Sequence, residues 1–398
     1  MDRAYYTPDF FRNDALRAID AKFEAQKIAF SPLTFQAVRA LLELGLLQAV
    51  EEAGDGGISP ADLAERTGVS SYGVAVLCEM ALGMGVLKFA PAGTEAAPAA
   101  PVRDSSSTGG TPPNPPVPAE TTPAGEERYV LGKTGWMLLE DDLTRVNFNF
   151  VNDICYKGAF DLVDSVRNGR PEGLRQFAGQ WTTIYEALSS LPAREKKSWF
   201  DFDHFYSDIA FPEALPIVFA SRPRHIVDIG GNTAKWAVAC CRYDPDVRVT
   251  IVDLPGQTAV AERNAAEAGF ADRIATRPGN ILDAATALPE SPDAVWMSQF
   301  LDCFSLRQVT KILRKVHEYA GPQTDVYVLE PLWDRQRFVG ESYALQATSL
   351  YFTCMANGNS KMYRYGELVQ AVEAAGFSLR TAHHNLGSNS YSLLVFRK

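Results

Sequence analysis

The sequence predicts an α/β chain: a Rossmann-like, doubly wound sheet in the carboxy-terminal half, behind an amino-terminal all-helical domain of winged-helix type. Three observations carry this. Ile226-Val227-Asp228-Ile229 is a β-branched apolar run that passes into Gly230-Gly231 and an amphipathic stretch, as a buried parallel strand, tight turn and helix would. Arg248–Asp253 repeats the pattern, with an acid at the strand's carboxyl end. Upstream, two short helical stretches joined by Thr67-Gly68-Val69-Ser70 precede two strand-like runs.

At 398 residues the chain has room for two or three domains. Its 46% hydrophobic and 22% charged residues are those of an ordinary soluble globular protein. A net charge of −10 argues against a general nucleic-acid binder. The six cysteines form no C-x-x-C pair, so they read as reduced thiols without a zinc site. The first residues do not read as a signal peptide and no apolar run is long enough to span a bilayer, so a cytoplasmic location and no membrane partner are expected.

In chain order, residues 1–30 are helical in part. Phe35, Val38, Leu42, Leu46 and Val50 recur at helical spacing over 32–50, up to the Gly54–Gly57 breaker. Ser59 caps a helix with Pro60 at its first position and Asp62 at its third. Helices over 61–66 and 72–84, with wing strands 86–89 and 128–131, complete a winged helix. Its second helix offers Tyr72, Val74, Val76, Cys78, Glu79 and Met80, which cannot neutralise phosphates. It therefore reads as a dimerisation element rather than a DNA reader. Between the wing strands, 91–127 is Ala, Pro, Gly, Ser and Thr, a composition expected to stay disordered at a hairpin tip. The expected domains are 1–140, a helical connector 141–220 rich in aromatics, and the sheet domain 221–398. Within the connector His204 reads as a surface or capping group.

The sheet is expected as strands 226–229, 248–252, 274–281, 293–300 and 324–331, with helices 233–242, 257–268, 305–319 and 364–375. Antiparallel strands 378–383 and 391–397 close it. Gly230 and Gly231 are expected to let backbone approach a ligand. The dinucleotide pattern G-x-G-x-x-G is absent, because Asn232-Thr233-Ala234 follows. A nucleoside without phosphates, its ribose diol on Asp253, therefore fits better than a pyrophosphate.

With these motifs in place the chain resembles the plant and bacterial small-molecule O-methyltransferases, such as caffeate and acetylserotonin O-methyltransferases. Val227-Asp228-Ile229-Gly230-Gly231, Val252-Asp253-Leu254-Pro255, Pro278-Gly279-Asn280-Ile281 and Ala374-Ala375-Gly376-Phe377 carry the likeness. It implies a class I methyltransferase sheet, the cofactor S-adenosyl-L-methionine, a homodimer and a small phenolic or aromatic acceptor. By the same likeness Gly230 backs the methionine moiety and Asp253 holds the ribose. Asn280 and Ile281 frame the adenine, Ser298 and Gln299 flank the amino-acid end, and Asn357 contacts the acceptor. No metal is expected.

The family's Leu-His-Asp-Trp is replaced by Leu301-Asp302-Cys303-Phe304, which puts Asp302 where the family has its histidine base. Glu330 matches one carboxylate that orients that histidine, and Met362 stands at the other. Three readings follow. Asp302 is the base of O-methylation, its pKa raised by burial and by Glu330. Or the methyl goes to a ring carbon ortho to a phenol, as in aryl-polyene-type relatives. Or the fold is diverted to a non-methylating or cofactor-sensing role. A plainer role for Asp302 is a helix N-terminal acid favoured by the dipole. For the winged helix, a duplex-DNA mobility titration at low salt is expected to be flat; salt-sensitive retardation would restore the DNA-reading alternative.

Overall fold

The computed structural model describes residues 10–12, 14–91 and 127–398. The proposed insertion at 91–127 lies, but for its two ends, outside the described residues. The chain forms two compact units: Ala15–Arg145, and Val146–Lys398 together with the described residues before Ala15.

In the first unit, the single helix expected over 32–50 is two, Ser31–Glu43 and Leu46–Glu52. The break falls at Gly45, whose φ of 72° is the left-handed conformation glycine tolerates best. Ser59 caps helix Pro60–Thr67 as its sequence indicates, its Oγ accepting from the Asp62 amide at 3.1 Å. Helix Ser71–Gly83 follows, then the antiparallel strands β1 (Leu87–Phe89) and β2 (Tyr129–Leu131). Leu41, Leu46, Leu47, Leu63, Val74 and Leu87 are buried in one core. No single described helix is long and apolar enough to cross a membrane; the bent pair 31–43 and 46–52 passes the length and composition test only jointly, and its apolar face lies in this core.

The second unit holds a seven-stranded sheet. Its strands are β3 (His225–Ile229), β4 (Arg248–Asp253), β5 (Ile274–Pro278), β6 (Ala294–Ser298), β7 (Asp325–Glu330), β8 (Ser378–Leu386) and β9 (Tyr391–Arg397). Their order is β5-β4-β3-β6-β7-β9-β8, with β3 to β7 parallel and β9 antiparallel to both neighbours. Chain order reverses at β3, between β4 and β6, so a crevice opens beyond the carboxyl ends of these strands. β7 is buried at every residue, the pattern of a strand covered on both faces.

Helix Leu306–Tyr319 shows how sequence sets an element. Ser305 and Gln308 form a capping box, and Val309, Ile312, Leu313 and Val316 fall on one buried face. The expected helix at 233 begins only at Lys235, because Asn232 and Ala234 take positive φ values of 45° and 67°. Helix Val339–Tyr351, which continues as a π-turn over Phe352–Ala356, had no counterpart among the expected elements.

On the other face of the sheet the rings of Trp236 and Trp296 stack at 3.8 Å and 10°, with Phe211 edge-on to Trp236. Trp296→Ala should lower unfolding free energy by about 3–5 kcal/mol, read by urea denaturation. A loss under about 1 kcal/mol would show that this stack adds little beyond a surface side chain.

Candidate active site

The crevice is a cavity of about 1040 Å³ within the second unit. One end is built on the strand tips: Gly230, Asn232, Val252, Asp253, Leu254, Gly279, Asn280, Ile281 and Gln299. The wall also carries Phe300 and Phe304 beside the strand tips, and Trp181, Tyr185, Trp199 and Phe200 from a separate apolar cluster, with Asp203 and Cys303. The volume is at the upper end for a small-molecule site, enough for a nucleoside-sized ligand and a second molecule.

Asp253 Oδ2 accepts from the Asn232 amide at 2.9 Å and Oδ1 from the Leu254 amide at 2.7 Å. Each oxygen keeps a lone pair for a diol. Burial raises the pKa of Asp253, and the two amides counter it. Asn280 forms a turn in which its Oδ1 accepts from the Leu282 amide at 3.0 Å. Its second lone pair remains, and Ile281 supplies the apolar wall beside it.

The glycine pair also makes room inside the protein. Gly230 has φ 80°, and a Cβ there would stand 2.2 Å from the Phe300 ring. At Gly231 a Cβ would meet Asp228 Oδ2 at 2.6 Å and Ile251 Cγ2 at 2.9 Å. Both glycines make room for the protein's own side chains, and Gly230 also faces the cavity.

Asn357 lines the cavity, but its amide is committed to its own loop. Nδ2 donates to the Cys303 carbonyl at 2.9 Å and to Ser360 Oγ at 2.7 Å, while Oδ1 accepts from the amides of Asn359 and Ser360. Ser298, Asp302 and Glu330 are not on the wall. Ser298 Oγ is buried without a partner. Asp302 sits in the turn Leu301–Cys303, 5% exposed, with Oδ1 unpartnered. Glu330 Oε1 accepts from the amides of Phe300 and Leu301 at 3.0 and 2.8 Å, and Oε2 is unpartnered. Burial, and for Glu330 then the Asp302 charge, raises the pKa of both acids. The surfaces presented beside them are Cys303, whose Sγ receives the Tyr185 hydroxyl at 3.1 Å, and Phe304. Met362 is buried in the same apolar cluster as Trp199. None of the chain's histidines lines the cavity; His204 stands in the last turn of helix Ala193–Ser207, its ring against Phe200.

Sequence reasoning missed Asp203, one residue before His204. It lines the cavity and keeps 28% of its side chain open, with Oδ2 accepting from Asn232 Nδ2 at 3.1 Å. No residue pattern distinguishes it from Asp201 two positions earlier. Among the described residues no cluster of His, Cys, Asp and Glu could hold a metal.

Two cavity residues carry buried oxygens without partners, Asn232 Oδ1 and Gln299 Oε1. These acceptors suit an ammonium group. With the Asp253 carboxylate and the Asn280–Ile281 wall, the residues present fit an adenosyl amino acid.

Asp228, 2% exposed beneath the first turn, is pushed up to about 8 by burial and then by the Asp253 charge. Its ordinary value is 3.8, so between these values the folded protein binds more protons than the unfolded chain. Stability should fall as pH rises from about 4 to about 8 and level off above. Asp228→Asn should gain on the wild type across that window in urea titrations. A difference independent of pH would contradict this.

Comparison with known proteins agrees with the geometry. Residues 160–378 match the O-methyltransferase domain, and residues 22–91 the Dimerisation2-like domain. The L-tyrosine C(3)-methyltransferase of Streptomyces lavendulae is 24% identical over 248 residues, 62% of this chain and 66% of that one. The aclacinomycin 10-hydroxylase RdmB of Streptomyces purpurascens is 32% identical over 252 residues, 61% of this chain and 63% of its own. The matched stretches thus span just under two thirds of these relatives. The apo structure of the S-adenosylmethionine-dependent methyltransferase SibL superposes with a TM-score of 0.66 at 24% identity, covering 94% of this chain and 98% of that one. The matched domain takes in more than half of the sequence, its strand tips and its cavity, and the chain belongs to the O-methyltransferase family with a class I Rossmann-like fold.

Proposed function

We propose that this protein is an S-adenosylmethionine-dependent methyltransferase acting on a small, flat, phenolic or aromatic acceptor, with transfer to oxygen favoured. One observation carries the reading: a single cavity is lined both by the strand-tip residues Gly230, Asn232, Asp253 and Asn280 and by the aromatic side chains Trp181, Tyr185, Trp199 and Phe200. Among these aromatics the polar tips are paired internally, Trp199 Nε1 with the Tyr351 hydroxyl at 2.8 Å and the Tyr185 hydroxyl with Cys303 Sγ. Ring faces are what remain for a guest.

The cofactor supplies an activated methyl group. Asp253 holds the ribose hydroxyls, Asn280 and Ile281 frame the adenine, and Gly230, Asn232 and Gln299 receive the amino-acid end. Ser298 supports that end from beneath the wall. Asn357 acts on the acceptor by fixing the 303 and 357–360 loops rather than by a free amide. Asp302 and Glu330 are both buried, and Glu330 braces the turn that carries Asp302 by accepting from the Phe300 and Leu301 amides. Alignment of acceptor and methyl supplies most of the acceleration, so the missing histidine does not by itself preclude transfer.

The first unit is proposed to pair with that of a second copy. Helix Ala18–Ala29 buries none of its residues and exposes Ile19, Phe23 and Ile28. A cytoplasmic setting suits the unpaired cysteines. Transfer to a ring carbon is the second reading, favoured by the likeness to an enzyme named for methylating tyrosine at C(3). The relative named as a hydroxylase keeps the non-methylating reading in view.

Titration calorimetry with S-adenosylhomocysteine should show binding by the wild type. Asp253→Ala should weaken it at least about tenfold, one hydrogen bond to a charged group being worth about 1.5–3 kcal/mol. Unchanged affinity in that variant, or no binding by the wild type, would remove the assignment. Mass spectrometry and NMR of phenols incubated with labelled cofactor then separate oxygen from carbon methylation.

A further inference from the structure

Among the described residues four carboxylates line the cavity: Glu172, Glu186, Asp203 and Asp253. Three are committed. Both Glu186 oxygens receive Thr182, through its amide and hydroxyl. Glu172 Oε1 receives Asn168 and Arg170. Asp253 receives two backbone amides at the nucleoside end. Among the described residues Asp203 accepts one side-chain hydrogen bond, from Asn232 to Oδ2, and Oδ1 takes none. It shares the wall with Trp199 and Phe200 of its own helix, and Asn232 ties it to the strand tips. Asp302, by contrast, lies off the wall, behind Cys303.

Resting on the methyltransferase reading above, we propose that Asp203 is the catalytic base, its free Oδ1 accepting the hydrogen bond and then the proton of the acceptor hydroxyl. The O–H bond breaks toward Asp203. The oxygen's electron pair forms the bond to the methyl carbon, and the carbon–sulfur pair stays on sulfur as a neutral thioether.

The surroundings suit the task. Partial burial, then the charges of Asp302 and Asp208, raise Asp203 above the ordinary aspartate range, against the opposing Lys235 and the Asn232 hydrogen bond. His204 Nδ1 is 4.0 Å from Oδ2, and the hydroxyls of Tyr351 and Tyr391 feel the same charge. A carboxylate of this basicity lies closer to a phenol, near pKa 10, than an ordinary aspartate does.

The test is a visible-absorbance pH titration of 4-nitrophenol bound to the S-adenosylhomocysteine complex, in wild type and Asp203→Asn. A phenol hydrogen-bonded to a carboxylate holds its proton to higher pH, so the bound probe should turn yellow later than free probe in the wild type. Asp203→Asn should remove the carboxylate's share and leave a clearly smaller shift, the one due to burial alone. An equal shift in both proteins, or no probe binding by the wild type, overturns the proposal, and neither result touches cofactor binding, which the Asp253 experiment judges alone. In turnover of an ordinary phenol, Asp203→Asn should lower kcat about a hundredfold or more while leaving cofactor affinity within about threefold. The loss should shrink for acceptors already ionised at the assay pH. A loss of the same size for every acceptor would mark Asp203 as structural and likewise overturn the proposal.

Discussion

The carboxyl edge of the parallel sheet is held by acids that reach across to a neighbouring strand's turn. At each strand tip the backbone leaves the ladder and exposes amides that must find acceptors. Asp253, at the end of β4, takes the amides of Asn232 and Leu254, and so pins the turn after β3. Glu330, at the end of β7, takes those of Phe300 and Leu301, and so pins the turn after β6. Phe300 in turn packs where a Cβ on Gly230 would stand. The two pinned turns meet there, and the cavity opens beside them. A ligand-binding crevice at this point follows from where chain order reverses; its shape follows from these two carboxylates.

The same arrangement concentrates carboxyl groups in a dry place. Asp228, Asp302 and Glu330 are all buried, and each holds its proton above the ordinary range. Unpartnered oxygens on Asp228, Asn232, Ser298, Gln299, Asp302 and Glu330 gather around the tips of β3 and β6. Buried polar atoms left this way cost stability unless a ligand or a proton answers them. A cationic guest would be stabilised by the site as a whole, which is consistent with a sulfonium cofactor carrying an ammonium tail. Where the family has an imidazole, this chain has a carboxylate set back from the wall. The described cavity wall therefore offers aromatic rings and one partly open acid, Asp203.

Much of this was legible in the sequence. Buried parallel strands announce themselves as β-branched runs, and acids at 253 and 330 stand at their ends, so the sheet and the strand tips that line the cavity could be read directly. Capping at Ser59 and Ser305 is likewise local chemistry. What was not legible depends on tertiary context. Left-handed Asn232 and Ala234, which delay the helix to Lys235, are non-glycine residues in a conformation that only the surrounding turn imposes. The reason for Gly230 and Gly231 lies in Phe300 and Asp228, of which Phe300 is some seventy positions away in sequence. Asn357 looked available because nothing in its neighbours reveals that both ends of its amide are taken. Asp203 was hidden among aromatics beside a more conspicuous histidine, and only the cavity separates it from Asp201.

The claim on which the rest depends is that an adenosyl amino acid lies across the tips of β3 and β4. The most direct measurement is a crystal structure of the full chain with S-adenosylhomocysteine bound. This assignment predicts both ribose hydroxyls within hydrogen-bond distance of the Asp253 carboxylate, and the ammonium against the oxygens of Asn232 and Gln299. A nucleoside lodged elsewhere, or one whose ribose faces away from Asp253, would contradict it.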